Sequence, residues 1–362
     1  VAPTRVPPVK VVRAVERLRH HLLRARQRTA PGSAVLLEMI LGGWVSQSIA
    51  VVAELKVADA LAGGPLTADE LARRVGADPD ALGRVMRMLA SQGVFAVRRG
   101  NRYALNAISD GLRSDAAVSL AAMARFVGSP QHREHWSHLG EAVRSGESVI
   151  PKLRGKAAFE YLHGEPELGP IFNDAMTSMS ELVIDAAVAA YDFGAHPVVV
   201  DVGGGHGRLL SAILTATPGI AGVLYDLPPV VDGAPELLRR YGVAERTRIV
   251  GGSFFDEVPP GGDLYIAKNV IHDWSDDESV AILRNIRAVA APGTTLVLLE
   301  AVIPDHHREF PPTLIDIEML VSAGGRERTE AEFGTLYERS GFRLTRVVPT
   351  VTPFSLVEGV AV

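Results

Sequence analysis

His272 is a side chain well matched to moving a proton near neutral pH. It sits in Asn269-Val-Ile-His-Asp-Trp274, between an apolar run and a helix opened by Ser275, in the kind of loop where sites form. Two acids at later loop positions, Glu300 and Glu327, could orient its ring as a carboxylate orients a catalytic imidazole. Glu327 could instead pair on the surface with Arg326 or Arg328. A second cluster lies upstream, in Val198-Val-Val-Asp-Val-Gly-Gly-Gly-His-Gly207, where an apolar run ends in Asp201 and breaks into four glycines across five positions. Glycines let the backbone approach a ligand closely, and the helix that follows offers unpaired N–H groups at its start.

Spacing decides what such a loop holds. A dinucleotide loop reads G-x-G-x-x-G, but the sixth position counted from Gly203 is Arg208, which would clash with close helix–strand packing. Asp201 would repel a pyrophosphate, and it suits a ligand with an ammonium group, such as the amino-acid end of S-adenosylmethionine. No Gly-Lys-Ser or Gly-Lys-Thr follows, so a Walker loop is excluded. About one strand–helix unit further on, Asp226 can accept two hydrogen bonds from a ribose diol. A helix-capping role for it is disfavoured because Leu-Pro-Pro intervenes before the next helix. Phe254, after Ser253, could stack on an adenine face or simply pack.

These residues fall at the ends of strands. From Pro197 the chain alternates strand and helix, with strands near 198–202, 222–226, 247–251, 263–268 and 295–301, a long helix at Ser275 to Val289, and extended runs at Arg343 to Val348 and Phe354 to Ala361. Such alternation implies a parallel, doubly wound α/β sheet whose ligand lies beyond the carboxyl ends of the strands. That rule collects Asp201, Asp226, Ser253, Phe254, Lys268, His272 and Glu300 into one region.

The first half reads as helices. Thr67 and Glu70 form a capping-box pattern, Asp78-Pro79 caps a second helix to Ser91, and two short strands surround Gly100-Asn101. Helix, turn, helix, hairpin is a winged-helix outline. DNA binding through Arg84 and Arg87 is the weaker reading, because that helix has few base-reading side chains and carries acids at its entering end. Between Ala116 and Ala190 more helices are expected, and His132, His135 and His138 read as satisfied or interfacial histidines with no carboxylate pair to complete a metal site. The formal net charge of −5 gives no support to a nucleic-acid or membrane partner. With no cysteine there is no disulfide scaffold, thiol nucleophile or cysteine metal site, which fits the cytoplasm. Arg13, Arg17, Arg19, Arg24, Arg26 and Arg28 gather in a basic extension over residues 1–30, read as a solvated arm. Glu38, Gln47, Glu54 and Lys56 are expected to interrupt any membrane-spanning segment between Ala34 and Ala62. The helices there are more apolar than a monomer's surface needs, and a partner subunit could cover the excess.

Taken together, Gly64-Pro65-Leu66, Phe172-Asn173-x-x-Met176, Asp201 to Gly207, Asp226-Leu-Pro228, His272-Asp-Trp274 and Gly324-Gly-Arg-Glu-Arg-Thr329 resemble the S-adenosylmethionine-dependent O-methyltransferases of the plant caffeate and bacterial natural-product type. The resemblance covers most of the chain, and the last four motifs in this order are highly specific. It implies a Rossmann-like, mostly parallel seven-stranded sheet over 191–362, a winged-helix-like dimerisation domain over 31–115 forming an interlocked homodimer, and a helical connector over 116–190. It further implies that Gly203, Gly204, Gly205, Asp226 and Leu227 hold the cofactor with Asp201, Ser253 and Phe254, and that Lys268 and Ser180 lie beside it. The residue matching His272 is the general base, Glu300 and Glu327 flank it, and Phe172, Met176, Asp273 and Met319 contact the acceptor. One departure stands out: relatives often have Gly-Asp before an aromatic or methionine, and here Gly252-Ser253-Phe254 leaves adenine recognition to Ser253 or another group.

The implied reaction is methyl transfer to a phenolic hydroxyl of an aromatic or polyketide-like small molecule, without a metal, leaving S-adenosylhomocysteine. A phenol near pKa 10 and an imidazole near 6.5 are mismatched by roughly 3.5 units, about 5 kcal/mol, so an orienting carboxylate that raises the imidazole's basicity would help. Two other classes compete: a DNA-binding regulator with a ligand-sensing Rossmann-like domain, and a cofactor-binding relative that performs hydroxylation or decarboxylation.

Overall fold

The computed structural model describes residues 8–308 and 310–362. They form two compact units, one of residues 8–20, 142–148, 183–308 and 310–362, the other of residues 21–141 and 149–182.

In the second of these, the capping box holds: Thr67 accepts the Glu70 amide and Glu70 accepts the Thr67 amide at 2.8 Å. Asp78 caps helix Pro79–Ser91, whose Leu82, Met86 and Leu89 recur on one face and enter a core with Leu71, Phe95 and Tyr103. Strands β1 (Ala96–Arg98) and β2 (Arg102–Ala104) pair antiparallel across a turn that places Gly100 and Asn101 at φ 78° and 53°. The winged-helix outline read from capping and turn residues is therefore present. His132 and His135 are buried, with His132 against the Phe126 ring and His135 accepting from Arg154 Nε at 3.2 Å, while His138 Nδ1 lies 2.8 Å from Glu141.

Helix Gly32–Glu54 corrects one expectation. Its 23 residues contain only Glu38 and Glu54 as charges, Lys56 lies beyond its end, and the helix is long and apolar enough by length and composition to cross a membrane. The polar residues do not interrupt it. Leu36, Leu37, Met39, Ile40 and Trp44 stand exposed on it, Trp44 at 69%. So large an uncovered apolar face marks an interaction surface.

The other unit is built on one sheet. Strands β3 (Val198–Val202), β4 (Ala221–Asp226), β5 (Thr247–Gly251), β6 (Leu264–Lys268), β7 (Thr295–Ile303), β8 (Arg328–Thr329), β9 (Phe342–Pro349) and β10 (Phe354–Ala361) lie in the order β5-β4-β3-β6-β7-β10-β9, with two-residue β8 beside the end of β7. The first five are parallel, and β10 runs antiparallel to both its neighbours. This is the seven-stranded, doubly wound sheet that the alternation predicted, with β8 as a short addition. Alternate residues feed two cores. Val200 and Val202 pack on the side of helices Asp276–Val289 and Glu330–Arg339, while Val199 packs on the side of helix Arg208–Ala216 with Leu209, Leu210 and Ile213. Burial on both faces explains the unbroken apolar runs, and each fully buried leucine or valine contributes about 1.5–3 kcal/mol. The order reverses at β3, whose carboxyl end is flanked by those of β4 and β6, a topological switch point where ligands bind in such sheets.

Candidate active site

The turn after β3 is closed by its neighbour strand. Tyr225 O accepts the amides of Gly203 and Gly204 at 2.8 and 3.2 Å, and Asp226 Oδ2 accepts that of Gly205 at 2.8 Å. Gly203, Gly205 and Gly207 have φ of 69°, 60° and 84°, the left-handed region that side chains other than glycine's enter at a cost. A Cβ on Gly203 would press on Val270 Cγ2 at 2.8 Å, whereas one on Gly205 would meet nothing within 4 Å. Space thus opens at the middle of the turn. These amides are spent on carbonyl and carboxylate acceptors, which agrees with the exclusion of a phosphate loop.

Two acids lie beside the turn. Asp201 is buried on the same side of the strand as Val199, and a Cβ on Gly204 would stand 2.7 Å from its carboxyl, so the glycine lets the turn close over the acid. Among the described residues neither carboxyl oxygen of Asp201 has a hydrogen-bond partner of good geometry; burial pushes its pKa up to about 7, opposed by the Lys268 ammonium and the Leu210 amide. Lys268, at the end of β6, is lowered by burial and drawn back up by Asp201, Glu300 and Asp273. Asp226 Oδ1 accepts the Leu227 amide at 2.7 Å. Helix Pro228–Val231 starts immediately after Leu227, so Leu-Pro-Pro does not separate Asp226 from a helix as the sequence suggested. Each Asp226 oxygen holds one backbone amide and retains a lone pair. An orphaned buried carboxyl, a second acid and open space over Gly205 fit a ligand with a cationic end, as S-adenosylmethionine has.

The turn after β6 is organised differently. It is a single 3-10 turn, Ile271–Asp273, that carries His272 buried in the site. Nδ1 of the ring lies 2.9 Å from Glu327 Oε1, and Nε2 lies 3.4 Å from Asp273 Oδ1. Glu300 acts on the backbone: its Oε1 accepts the amides of Val270 and Ile271 at 3.1 and 2.9 Å. Its Oε2, like Glu327 Oε2, is buried without a partner among the described residues. Glu327 is itself fixed, its amide donating to Asp316 Oδ1 at 2.9 Å. The Arg326 amide donates to His272 O at 2.8 Å, and a Cβ on Gly325 would run into that same carbonyl and the one beyond it. Only glycine permits this approach at Gly325, while Gly324 before it takes the left-handed φ of 82°.

Burial penalises the imidazolium of His272, but Asp273, Glu300 and Glu327 outweigh it and push its pKa up to about 10. Burial raises Glu300 to about 7 and Asp273 to about 6, each held down in part by His272. One donor atom each from His272, Glu300 and Glu327 falls within 4.8 Å of the others, so the described residues include a group spaced for a metal, although the implied reaction calls for none. The direct 2.9 Å contact between Nδ1 and Glu327 is the geometry of a carboxylate-oriented imidazole.

The remaining predicted residues scatter. Phe254 packs on the core below the turn, its ring 6.1 Å from that of Trp274, and Ser253 Oγ accepts the Phe255 amide at 3.2 Å. Met319 is half-buried on helix Pro312–Val321. Phe172, Met176 and Ser180 lie on helix Leu168–Ala190, in the part that belongs to the other unit, where Phe172 packs 5.3 Å from Phe126. Sequence reasoning missed Asn269, whose Oδ1 is buried without a partner among the described residues at φ 52°, and the fully buried Arg328. A polar residue directly after a strand hinted at the first; nothing local distinguishes Arg328 from its exposed neighbour Arg326.

Comparison with known proteins agrees with this geometry. Residues 136–343 match the O-methyltransferase domain and residues 37–115 the O-methyltransferase dimerisation domain. The chain is 40% identical to a phenazine O-methyltransferase of Lysobacter antibioticus over 92% of its own length and 97% of the relative's. It is 39% identical to a mitomycin biosynthesis 6-O-methyltransferase of Streptomyces lavendulae over 89% and 92%. Among solved structures it is similar to an O-methyltransferase from neocarzinostatin biosynthesis in complex with S-adenosylmethionine and 2-hydroxy-5-methyl naphthoic acid, at 34% identity, TM-score 0.75, and coverage of 88% and 96%. The chain belongs to the S-adenosylmethionine-dependent O-methyltransferases, with relatives among the bacterial natural-product enzymes.

Proposed function

We propose that this enzyme methylates a phenolic hydroxyl on an aromatic or polyketide-like small molecule, with His272 as general base and no metal ion in the reaction. The observation that carries the reading is the buried contact of 2.9 Å between His272 Nδ1 and Glu327. With Nδ1–H donated to the carboxylate, Nε2 keeps the lone pair and is the atom that takes the acceptor's proton. Bound S-adenosylmethionine supplies a methyl already made electrophilic by its sulfonium. What the chain adds is alignment of the hydroxyl and removal of its proton.

The raised basicity of His272 closes the gap to a phenol, and the carboxylates that produce it also favour the imidazolium. Around the two turns stand Asp201, Asp226, Asp273, Glu300 and Glu327 against Lys268 and His272. A cationic ligand beside this acid excess opposes a second positive charge on the ring and so favours neutral imidazole. Asp201, Gly203 to Gly205, Asp226, Leu227 and Lys268 are the residues that would hold the cofactor, with Ser253 and Phe254 at the adenine end and Asp273 and Met319 towards the acceptor. An aromatic acceptor is supported by the phenazine relative and by the naphthoic acid in the neocarzinostatin enzyme. The uncovered apolar face of Gly32–Glu54, within the part matching a dimerisation domain, supports a homodimer.

Incubation with methyl-labelled cofactor and a panel of phenols, aromatic amines and carboxylic acids tests this reading. Label is expected on phenolic oxygen; label on nitrogen alone would reassign the acceptor class.

A further inference from the structure

The guanidinium of Arg328 is buried at 1% exposure directly beneath the turn that carries His272. Its NH1 group donates to Ile271 O and its NH2 group to Trp274 O, both at 2.9 Å, so it bridges the carbonyls on either side of His272-Asp273. Nε and NH2 donate to Asp276 Oδ1 at 2.9 and 2.8 Å, NH2 reaches Ser279 Oγ at 3.3 Å, and NH1 reaches Arg326 O at 3.2 Å. The preceding residue, Glu327, makes the hydrogen bond to the imidazole. Successive side chains of an extended segment point to opposite sides. Two neighbouring residues thus grip one turn, Glu327 by its ring and Arg328 by its backbone.

We propose that Arg328 is a positioning residue for proton transfer, holding the Ile271–Trp274 backbone so that His272 keeps its contact with Glu327 and aims Nε2 at the acceptor. The inference rests on the reading of His272 as general base. A planar fork with five N–H groups can span two carbonyls and a carboxylate at once; a lysine ammonium, a point charge with three donors, cannot reproduce that span. Burying a cation is costly, and apolar side chains would fill the same volume at less cost. The hydrogen bonds go to the carbonyls that bracket the base, and they fix its direction. Ser279 Oγ, whose single O–H lies within reach of the same two carbonyls at 3.3 and 3.4 Å, backs up the clamp from helix Asp276–Val289.

The test is a double-mutant cycle on the full-length enzyme, with Arg328→Lys made in the wild-type and His272→Ala backgrounds. Single-turnover rate at saturating S-adenosylmethionine and calorimetric cofactor affinity are measured for each. Arg328→Lys is expected to slow transfer about 10-fold or more in the wild-type background, as small misplacements of reacting groups do. Cofactor affinity should stay within about twofold, the pH of half-maximal rate should move, and the loss should shrink below about twofold once His272 is gone. Should Arg328→Lys not fold, Asp276→Asn, which loosens the guanidinium by removing its charged partner, must give a smaller loss that also vanishes with His272→Ala. Equal losses in the two backgrounds overturn the positioning role while leaving the base intact. A wild-type rate in His272→Ala alone overturns the base reading, and this inference with it.

Discussion

Two turns at the carboxyl ends of adjacent strands, after β3 and after β6, are held differently, and on the proposed function they do different work. The glycine turn is tied to its neighbour strand by backbone amides on Tyr225 O and Asp226, and it leaves Asp201 without a partner of good geometry among the described residues. The His272 turn is gripped by groups from three later segments: Ser279, Glu300, and the run Arg326–Arg328 through the Arg326 amide and the Glu327 and Arg328 side chains. The first is a floor with unmet polar capacity, which is what a ligand needs. The second uses Glu300 Oε1, Glu327 Oε1 and the Arg328 guanidinium to fix a backbone turn and its ring, although Glu300 Oε2 and Glu327 Oε2 are also left unpartnered among the described residues. Binding calls for unsatisfied groups, whereas proton transfer calls for an over-determined one.

The largest effect that would break this comparison is at Gly325. Gly325→Ala drives a Cβ into the His272 carbonyl, so the turn must shift; turnover should fall about 10²-fold while calorimetric cofactor affinity changes little. A variant with wild-type turnover would mean that the base needs no such exact placement. Glu300 gives a smaller effect. Its pKa is raised from 4.5 to about 7, so the folded protein keeps a proton that the unfolded chain has lost. Stability should therefore fall as pH rises through that window, by on the order of 3 kcal/mol. Glu300→Gln, which retains an oxygen for the two amides, should flatten the fall in Tm of cofactor-free protein between about pH 4.5 and 7. An unchanged slope would remove Glu300 as its source. The smallest effect is expected from chelation: dialysis against EDTA should leave turnover within about twofold. A loss restored by one divalent cation would make His272, Glu300 and Glu327 a metal site and erase the contrast between the turns.

The two turns also differ in how far they could be read from the sequence. The glycine turn is local: strand, acid, glycines and helix are contiguous, so its position at the switch point of a parallel sheet followed from spacing alone. Capping residues Thr67, Asp78 and Ser275 located helix starts for the same reason, since a cap interacts with residues three positions on. At the second turn His272, Glu300 and Glu327 were legible as chemistry, but how they act was not. Glu300 grips backbone amides thirty residues away instead of the ring, and Arg328 looks like any surface arginine until the chain returns beside β7. Helix Gly32–Glu54 was misjudged because its only two charges, Glu38 and Glu54, with Gln47, are too few to interrupt an apolar run of that length, and Lys56 lies beyond its end.

The most direct test of the division between the turns is a crossed pair, Asp226→Ala and His272→Ala, each assayed for calorimetric affinity towards S-adenosylmethionine and for single-turnover rate at saturating cofactor on a verified phenol. Asp226→Ala should weaken binding about 10-fold or more, the scale of a lost charge-assisted hydrogen bond, with a smaller change in rate. His272→Ala should leave affinity within about twofold and cut the rate about 10²-fold or more. A His272→Ala enzyme that transfers methyl at the wild-type rate, or two variants that lose affinity and rate alike, would contradict the account.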